Sequence, residues 1–438
     1  MTTSISTAAD AAAYALEALM KAGADKAACV ASQNRTDEFN VEASQFSLLR
    51  TLFNKRLALK AIKGGKKGTT VINKFDRETV DRAVANCVAM ANLASPDDAE
   101  DIAEKAENKA FDQGIGGPDM ASLFSRSRDF VGQLRDEFPK IMLENMTSEF
   151  NSGQTVHVNS NGVVFSTDAE HYTVGTMFSA KDGENVTSCN FLNSSITALD
   201  VPFIDLGMQR TLLEESVRSL DARMVDGKFV GKIIVTPACE DMIWGTLLDC
   251  FLGTGPLIDG TSRWKDALGS LVADPKLTFR AAPLNPLIVT GERFTDDGYE
   301  SRDCDFIKDG VLASFALGLY GANKTGKPRA GNTAFWETME VAAGDVPLTD
   351  MIKGVDRGIL LNRFSGGQPG PSGDVSGVAK NSFLIENGRV TDALKETMIG
   401  FNILDVLKSI VAISTERCAN GTSVLPWCCF DGVTVSGK

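Results

Sequence analysis

The sequence predicts an α+β protein: an N-terminal α+β domain with an antiparallel sheet and helices, followed by a β-rich C-terminal domain. Three observations carry that prediction. From about 27 to 73, and again from about 140 to 192, apolar residues recur at every second position, the period of a half-buried strand. Segments of helical period, 7–22 and 76–94, bracket the first of these runs. After Val230 the chain breaks into short apolar runs separated by Gly, Asp and Asn turns, with few stretches long enough for a helix. The predicted boundaries are 1–200 for the first domain and 225–438 for the second, with a linker or surface excursion near 95–118.

Each element has its own reason. Thr7 to Ala22 is Ala-rich, with Leu16, Leu19 and Met20 on one side and Gly23 as a stop signal. Leu49, Thr51, Phe53 and then Leu57, Leu59, Ala61 alternate, with Asn54-Lys55 between them as the expected hairpin turn. Gly64-Gly65-Lys66-Lys67-Gly68 is a second turn, leading into Thr69–Ile72. Asp76 is placed to cap a helix whose Val80, Val84, Cys87, Val88 and Ala91 share one face. After the 95–118 excursion comes a helix containing Phe124, Phe130 and Leu134. Asn159-Ser160-Asn161-Gly162 is the turn between Val156/Val158 and Val163/Phe165, and 205–220 is a connecting helix. In the second half, Ile233–Val235 reads as a buried strand and 237–251 as a helix with Pro237 in its first turn. A late helix is expected at 403–413.

Composition bounds the chemistry. Of 438 residues, 43% are hydrophobic and 23% charged, the mix of a globular protein large enough to need neither disulfide nor structural metal. Acidic residues outnumber basic ones 57 to 44, and the net charge of -13 repels phosphate backbones and anionic lipid. No apolar run approaches the ~20 residues of a membrane span. The opening Met1-Thr-Thr-Ser-Ile has no basic segment followed by an apolar one. Nine cysteines, an odd number without a C-x-x-C spacing, add to the expectation of a reducing cytoplasm. There are only two histidines, His157 and His171. A Ser-His-Asp set, a Cys-His pair or a helical His-x-x-x-His zinc site within the second half is therefore excluded.

Several motifs have a plain structural reading. Gly321-Ala-Asn-Lys-Thr-Gly326-Lys327 fits seven positions of a phosphate loop, but Pro328 stands where a Mg²⁺-binding hydroxyl belongs, so it reads as a surface turn. The Gly64–Gly68 stretch reads as a solvated hairpin, and the two histidines as satisfied or surface imidazoles. Cys428 and Cys429 point to opposite faces of a strand, one into the core and the other a free thiol. The strongest local oddity is 365–374, with four glycines and two prolines in ten residues. It is either a shaped loop lining a cleft or a surface loop.

Taken in order, Gly68-Thr69-Thr70, Asn159-Ser160-Asn161-Gly162, Leu268-Gly269 with Val272-Ala273, and Asp296-Asp297-Gly298 with Ser301-Arg302 form a recognisable series. Asp309-Gly310-Val311-Leu312, Gly331-Asn332, Ser372-Gly373-Asp374-Val375-Ser376, Leu384–Gly388 and Ile399-Gly400-Phe401-Asn402 continue it. This series resembles the TldD/PmbA family, also called modulators of DNA gyrase. The resemblance implies the two-domain fold above and assembly as dimers. The TldD branch is similar to a zinc peptidase, with a His-Glu-x-x-x-His helix and a downstream Cys. The PmbA/TldE branch lacks that motif and pairs with TldD to close a narrow peptide-degrading chamber.

The helix that should carry the histidines is 237–251, which offers Cys239, Glu240, Asp241, Asp249 and Cys250 but no His; Cys418 falls near the third ligand's place. The resemblance is therefore to the PmbA/TldE branch. It implies a subunit without catalytic residues or metal of its own, with zinc expected only in a TldD-like partner. Asn332, Ser372, Gly373 and Asp374 are the candidate residues lining the peptide chamber. The implied partners are a TldD-like zinc peptidase subunit or a second copy, and unfolded peptide, with no direct nucleic acid and no membrane. The alternative is a homodimeric peptide-binding or regulatory protein without hydrolytic activity. A self-sufficient hydrolase using Asp/Glu or Cys alone is disfavoured, because a Cys nucleophile would lack its base.

Overall fold

The computed structural model describes residues 5–367 and 369–437. Helix α1 (Ala8–Lys21) begins at Thr7, whose hydroxyl accepts the Asp10 N–H while the Asp10 carboxylate accepts the Thr7 N–H. Its buried face is Ala8, Ala11, Ala12, Ala15 and Leu19; Met20, expected on that face, is exposed. Small side chains let the helix lie close on the first sheet. That sheet comprises β1 (Lys26–Glu42), β2 (Gln45–Lys63), β3 (Lys66–Ile72), β4 (Lys109–Gln113), β5 (Ile141–Asn159), β6 (Val164–Asp182), β7 (Asn185–Val186) and β8 (Asn190–Ile196). Its main path runs β3-β2-β1-β5-β6-β4 and is antiparallel except for β4 on β6. Helix α2 (Arg77–Leu93), capped by Asp76 as expected, lies so close to β3 that a Cβ on Gly68 would sit 1.9 Å from the Cys87 carbonyl oxygen.

One turn lies elsewhere than expected. Strand β2 runs unbroken through Asn54 and Lys55, which pair with Asn34 and Gln33, and the hairpin turns at Ala43-Ser44. Both turn residues have positive φ, 47° and 63°, as a two-residue hairpin of the favoured hand requires. The apolar alternation keeps its phase from Leu49 to Ala61, so nothing interrupts the strand. Strand β3 covers β2 only from Leu57 onward. The outer part of β2 is an uncovered edge among the described residues, with Leu49 67% and Phe53 73% exposed.

The 95–118 segment is not a free excursion. It is a strap lying between the first sheet and the second domain. Glu100 is buried against Lys60 and Lys67, and Asp101 meets Lys26 at 2.6 Å. Asn159 and Asn161 both donate to the Ala103 carbonyl, and Asp97 pairs with Lys324 of the second domain at 2.9 Å. Helix α3 (Met120–Glu137) then packs Phe130 and Leu134 inward, and α4 (Gln209–Arg218) connects to the second domain.

The second sheet comprises β9 (Lys228–Val235), β10 (Phe279–Ala281), β11 (Cys304–Lys308), β12 (Val311–Leu312), β13 (Met339–Val341), β14 (Arg357–Leu361) and β15 (Arg363–Gly366). It continues with β16 (Asp374–Lys380), β17 (Phe383–Glu386), β18 (Arg389–Ala393), β19 (Thr397–Asn402), β20 (Ile410–Ala419) and β21 (Ser423–Ser436). Although last in chain order, β21 is central, pairing with β9, β13, β19 and β20. One face packs on a core holding Trp244, Phe251, Phe279 and Phe335, the other on a cluster with Met351, Phe383 and Ile385. With both faces covered, Cys428 and Cys429 are both buried, so not one but both lie in the core, and both are free thiols.

Helices are short here: α5 (Asp241–Leu247), α6 (Thr254–Ile258), α7 (Leu319–Thr325), α8 (Leu348–Lys353) and α9 (Ile403–Val406). The expected helix at 403–413 stops after one turn, because Ile410, Ala412 and Ile413 alternate between the two covered faces as β20. Helix α5 starts four residues after Pro237 and continues through a wide π-type turn at Leu248–Leu252. Gly321 lies inside α7 and Gly326 is its left-handed cap, so the phosphate-loop-like spacing is a helix and its end. Among the described residues no helix is long and apolar enough to cross a membrane.

Candidate functional site

Two cavities of about 410 and 380 Å³ share Phe191, Ala238, Asp241 and Trp336 and so make one groove over α5. One half is walled by Met242, Gly245 and Asp249 of the α5 segment and by β15 with the turn after it. The other runs toward Met208, Cys418 and Asn420. Trp336 forms its central platform. The indole lies on the helix where Gly245 has no side chain: a Cβ there would come within 2.2 Å of the ring, which remains 50% exposed. Phe191, from β8 of the first sheet, closes one end under the Arg363 guanidinium, 3.5 Å from the ring centre. Surrounding protein raises the Asp241 carboxyl above the usual range, with Arg363 opposing that shift.

Among the described residues strand β15 pairs only with β16, so one of its edges is left without a strand partner there. It flanks the groove through Ser365, Gly366 and Gly367. An edge beside an aromatic platform is suited to receiving an extended chain by backbone pairing.

Beneath the groove the chemistry is closed off. Glu240 is 0% exposed; the Trp244 indole N–H donates to one of its oxygens at 2.8 Å, and the other has no partner. Burial pushes the Glu240 carboxyl up to about 8, against the Trp244 hydrogen bond, so it is largely protonated at neutral pH. Burial also pushes the Cys418 thiol up to about 11 and raises the Cys239 thiol further. The groups gathered here are two thiols, a carboxyl and an indole, and an indole N–H donates a hydrogen bond but does not ligate a metal. Among the described residues no three His, Cys, Asp or Glu side chains converge to hold a metal ion. The site does not fit zinc.

The candidate chamber residues are spread over two places. Gly373 (φ 83°) accepts the Ile403 N–H, and the Asn402 side-chain amide donates to the Ser372 carbonyl and the Asp374 carboxylate, both at 2.9 Å. Those bonds hold the Asp374 carboxyl below its usual range. Ser372 and Asp374 are exposed, at the opposite end of the 365–374 loop from the part that walls the groove. Asn332 is fully buried and braces a different turn, donating to Glu292 at 2.8 Å and Ser301 at 3.1 Å and accepting the Ala334 N–H. His157 pairs with Phe165 across the Asn159–Gly162 turn, and His171 sits opposite Asn151. Neither touches the groove.

Sequence reasoning missed Trp336, Phe191 and Arg363, which come from three distant segments. A lone glycine in the helical pattern at Gly245 was the available signal, since such a gap marks a close approach.

Residues 230–437 match the family model described as the PmbA/TldA metallopeptidase C-terminal domain. The chain is 23% identical over 366 residues to the metalloprotease PmbA of Escherichia coli O157:H7, covering 80% of this chain and 79% of that protein. It is 22% identical over 423 residues to a metalloprotease PmbA homologue of Haemophilus influenzae, covering 92% and 90%. The crystal structure of TldE from Thermococcus kodakarensis superposes with a TM-score of 0.84 at 19% identity, over 98% of this chain and 100% of that one. That likeness establishes the shared fold.

Proposed function

Because residues 230–437 are a PmbA/TldD-family C-terminal domain, we propose that this chain is the non-zinc, PmbA/TldE-like subunit of a cytoplasmic TldD/TldE-type metallopeptidase complex. The observation that carries the reading is the segment Cys239-Glu240-x-x-x-Trp244. It has the spacing of the zinc branch's His-Glu-x-x-x-His, with both imidazole positions replaced. The replacements are not ligands in waiting: Trp244 fills its place completely and binds Glu240.

In this reading the subunit's work is binding and exclusion. An unfolded peptide lies extended along β15, with its backbone on the strand edge and side chains over Trp336 and Phe191. Arg363 and Asp241 meet its polar groups. A groove of this size admits a single strand and rejects a folded domain. Hydrolysis belongs to a TldD-like partner that carries the zinc. Asp374, at the far end of the 365–374 loop from the groove wall, is a candidate for the rim of the shared chamber.

The test is native mass spectrometry of the protein drawn from its own cell extract. A heavier species with a second, different subunit and one zinc is the expected result. Zinc on a homodimer would overturn the reading. A metal-free homodimer that binds unfolded peptide would support the alternative, a peptide-binding or regulatory protein. In the assembled complex, Asp374→Ala should slow peptide processing while leaving the melting temperature unchanged; unchanged processing removes Asp374 from the chamber rim.

A further inference from the structure

A separate cavity of about 330 Å³ lies between the first sheet and the second domain. Its floor is Ala28, Val30, Ala58 and Val71, on the sheet face opposite the helices, and Leu319 of α7 roofs it. His157, opposite Val30 on β5, forms one wall and is 1% exposed. Neither ring nitrogen has a hydrogen-bond partner among the described residues. Gly298 is pressed against the ring, since a Cβ there would lie 2.4 Å from Nε2. Burial lowers the imidazole to about 4, so at neutral pH the ring is uncharged, with both nitrogens closed off from solvent behind the cavity wall.

The charged groups in the wall divide into engaged and free. Lys60 is held by Glu100, Asp101 by Lys26, and Asp297 by the Leu319 N–H and the Thr295 hydroxyl. Arg56 and Asp296 also line the cavity, and among the described residues neither makes an ion pair or a side-chain hydrogen bond. The space therefore offers, among the described residues, a free cation, a free anion, an uncharged imidazole wall and an aliphatic floor. Its volume is at the small end of ligand sites.

We propose that this cavity binds a small apolar zwitterion, an amino acid or dipeptide with an aliphatic side chain. The ammonium meets Asp296, the carboxylate meets Arg56, and the aliphatic body lies on the sheet against the uncharged His157 ring. The site is independent of the groove and of any partner subunit. Because its walls come from both domains, an occupied site clips them together.

Calorimetric titration of the whole purified protein with leucine and with leucyl-leucine tests this, and the tighter of the two reports the length that fits. Saturable binding is expected, falling at least about tenfold in Arg56→Ala and in Asp296→Asn. Both residues are exposed, so circular dichroism should show each variant folded. N-acetyl-leucine and leucinol, each lacking one charge, should bind correspondingly weakly. Absence of binding by either zwitterion at millimolar concentration overturns the proposal. So does binding that both variants leave unchanged.

Discussion

Glu240 and His157 are both buried ionisable groups, yet the regions around them are built differently. Glu240 sits in a closed core with the Trp244 indole against it. His157 lies in the wall of a cavity, its ring nitrogens closed off from solvent and without a side-chain partner among the described residues. Burial discharges both, by opposite routes: the carboxyl gains a proton and the imidazole loses one. The difference teaches that burial alone says little about purpose. What separates a structural group from a receptive one is whether the neighbouring space is filled.

The largest expected effect lies on the closed side. Trp244→Ala removes a fully buried indole and its hydrogen bond to Glu240, and should cost about 3–5 kcal/mol by chemical denaturation. A loss under about 1 kcal/mol would mean that the core is not closed.

The two groups should also tilt the stability–pH curve in opposite directions. The folded value for Glu240 lies above the ordinary 4.5, so its contribution is complete below that pH and is lost as pH climbs through about 8. Relative to wild type, Glu240→Gln should therefore gain stability between pH 5 and 8, on the order of 3 kcal/mol. A parallel pair of curves would refute the raised carboxyl.

Next in size is Gly298→Ala, which sets a methyl against the His157 ring at a positive φ of 90°. It should destabilise by about 2–3 kcal/mol. Pairing it with His157→Ala should recover part of that loss, and strict additivity would show that the two do not touch.

The imidazole acts on the opposite limb. Its folded value lies below the ordinary 6.5, so its contribution is complete above that pH and is lost as pH falls through about 4. His157→Leu should flatten this acid limb by on the order of 3 kcal/mol. An unchanged limb would assign the acid loss to other groups.

Local signals made much of the fold legible. Thr7 and Asp76 announce their helices, Gly64-Gly65 and Asn159–Gly162 their turns, and alternation the long strands. The Ala43-Ser44 turn was hidden because neither residue advertises positive φ, while Asn54-Lys55 advertises a turn that unbroken alternation overrules. Ile410–Ile413 reads as helix or strand until the two covered faces are known. The groove was half visible. Its helix drew attention as a place for ligands, but Trp336, Phe191 and Arg363 join it only through long-range packing. The glycine-rich loop stood out by composition; its Ser365–Gly367 end walls the groove, while Ser372–Asp374 lie at its other end.

The central position of β21 sets a schedule for the ribosome. Strand β9 emerges early, yet two of its neighbours, β14 and β21, are made later, and β21 follows only after roughly 190 further residues. At about 5–20 residues per second that is a wait of roughly 10–40 s, and until β14 is made partway through it Ile233, Ile234 and Val235 have no strand to join. The first sheet is finished by then and can serve as a folded neighbour. The second cannot close until its middle strand arrives, so nascent chains stalled before Ser423 should be the species that chaperones hold.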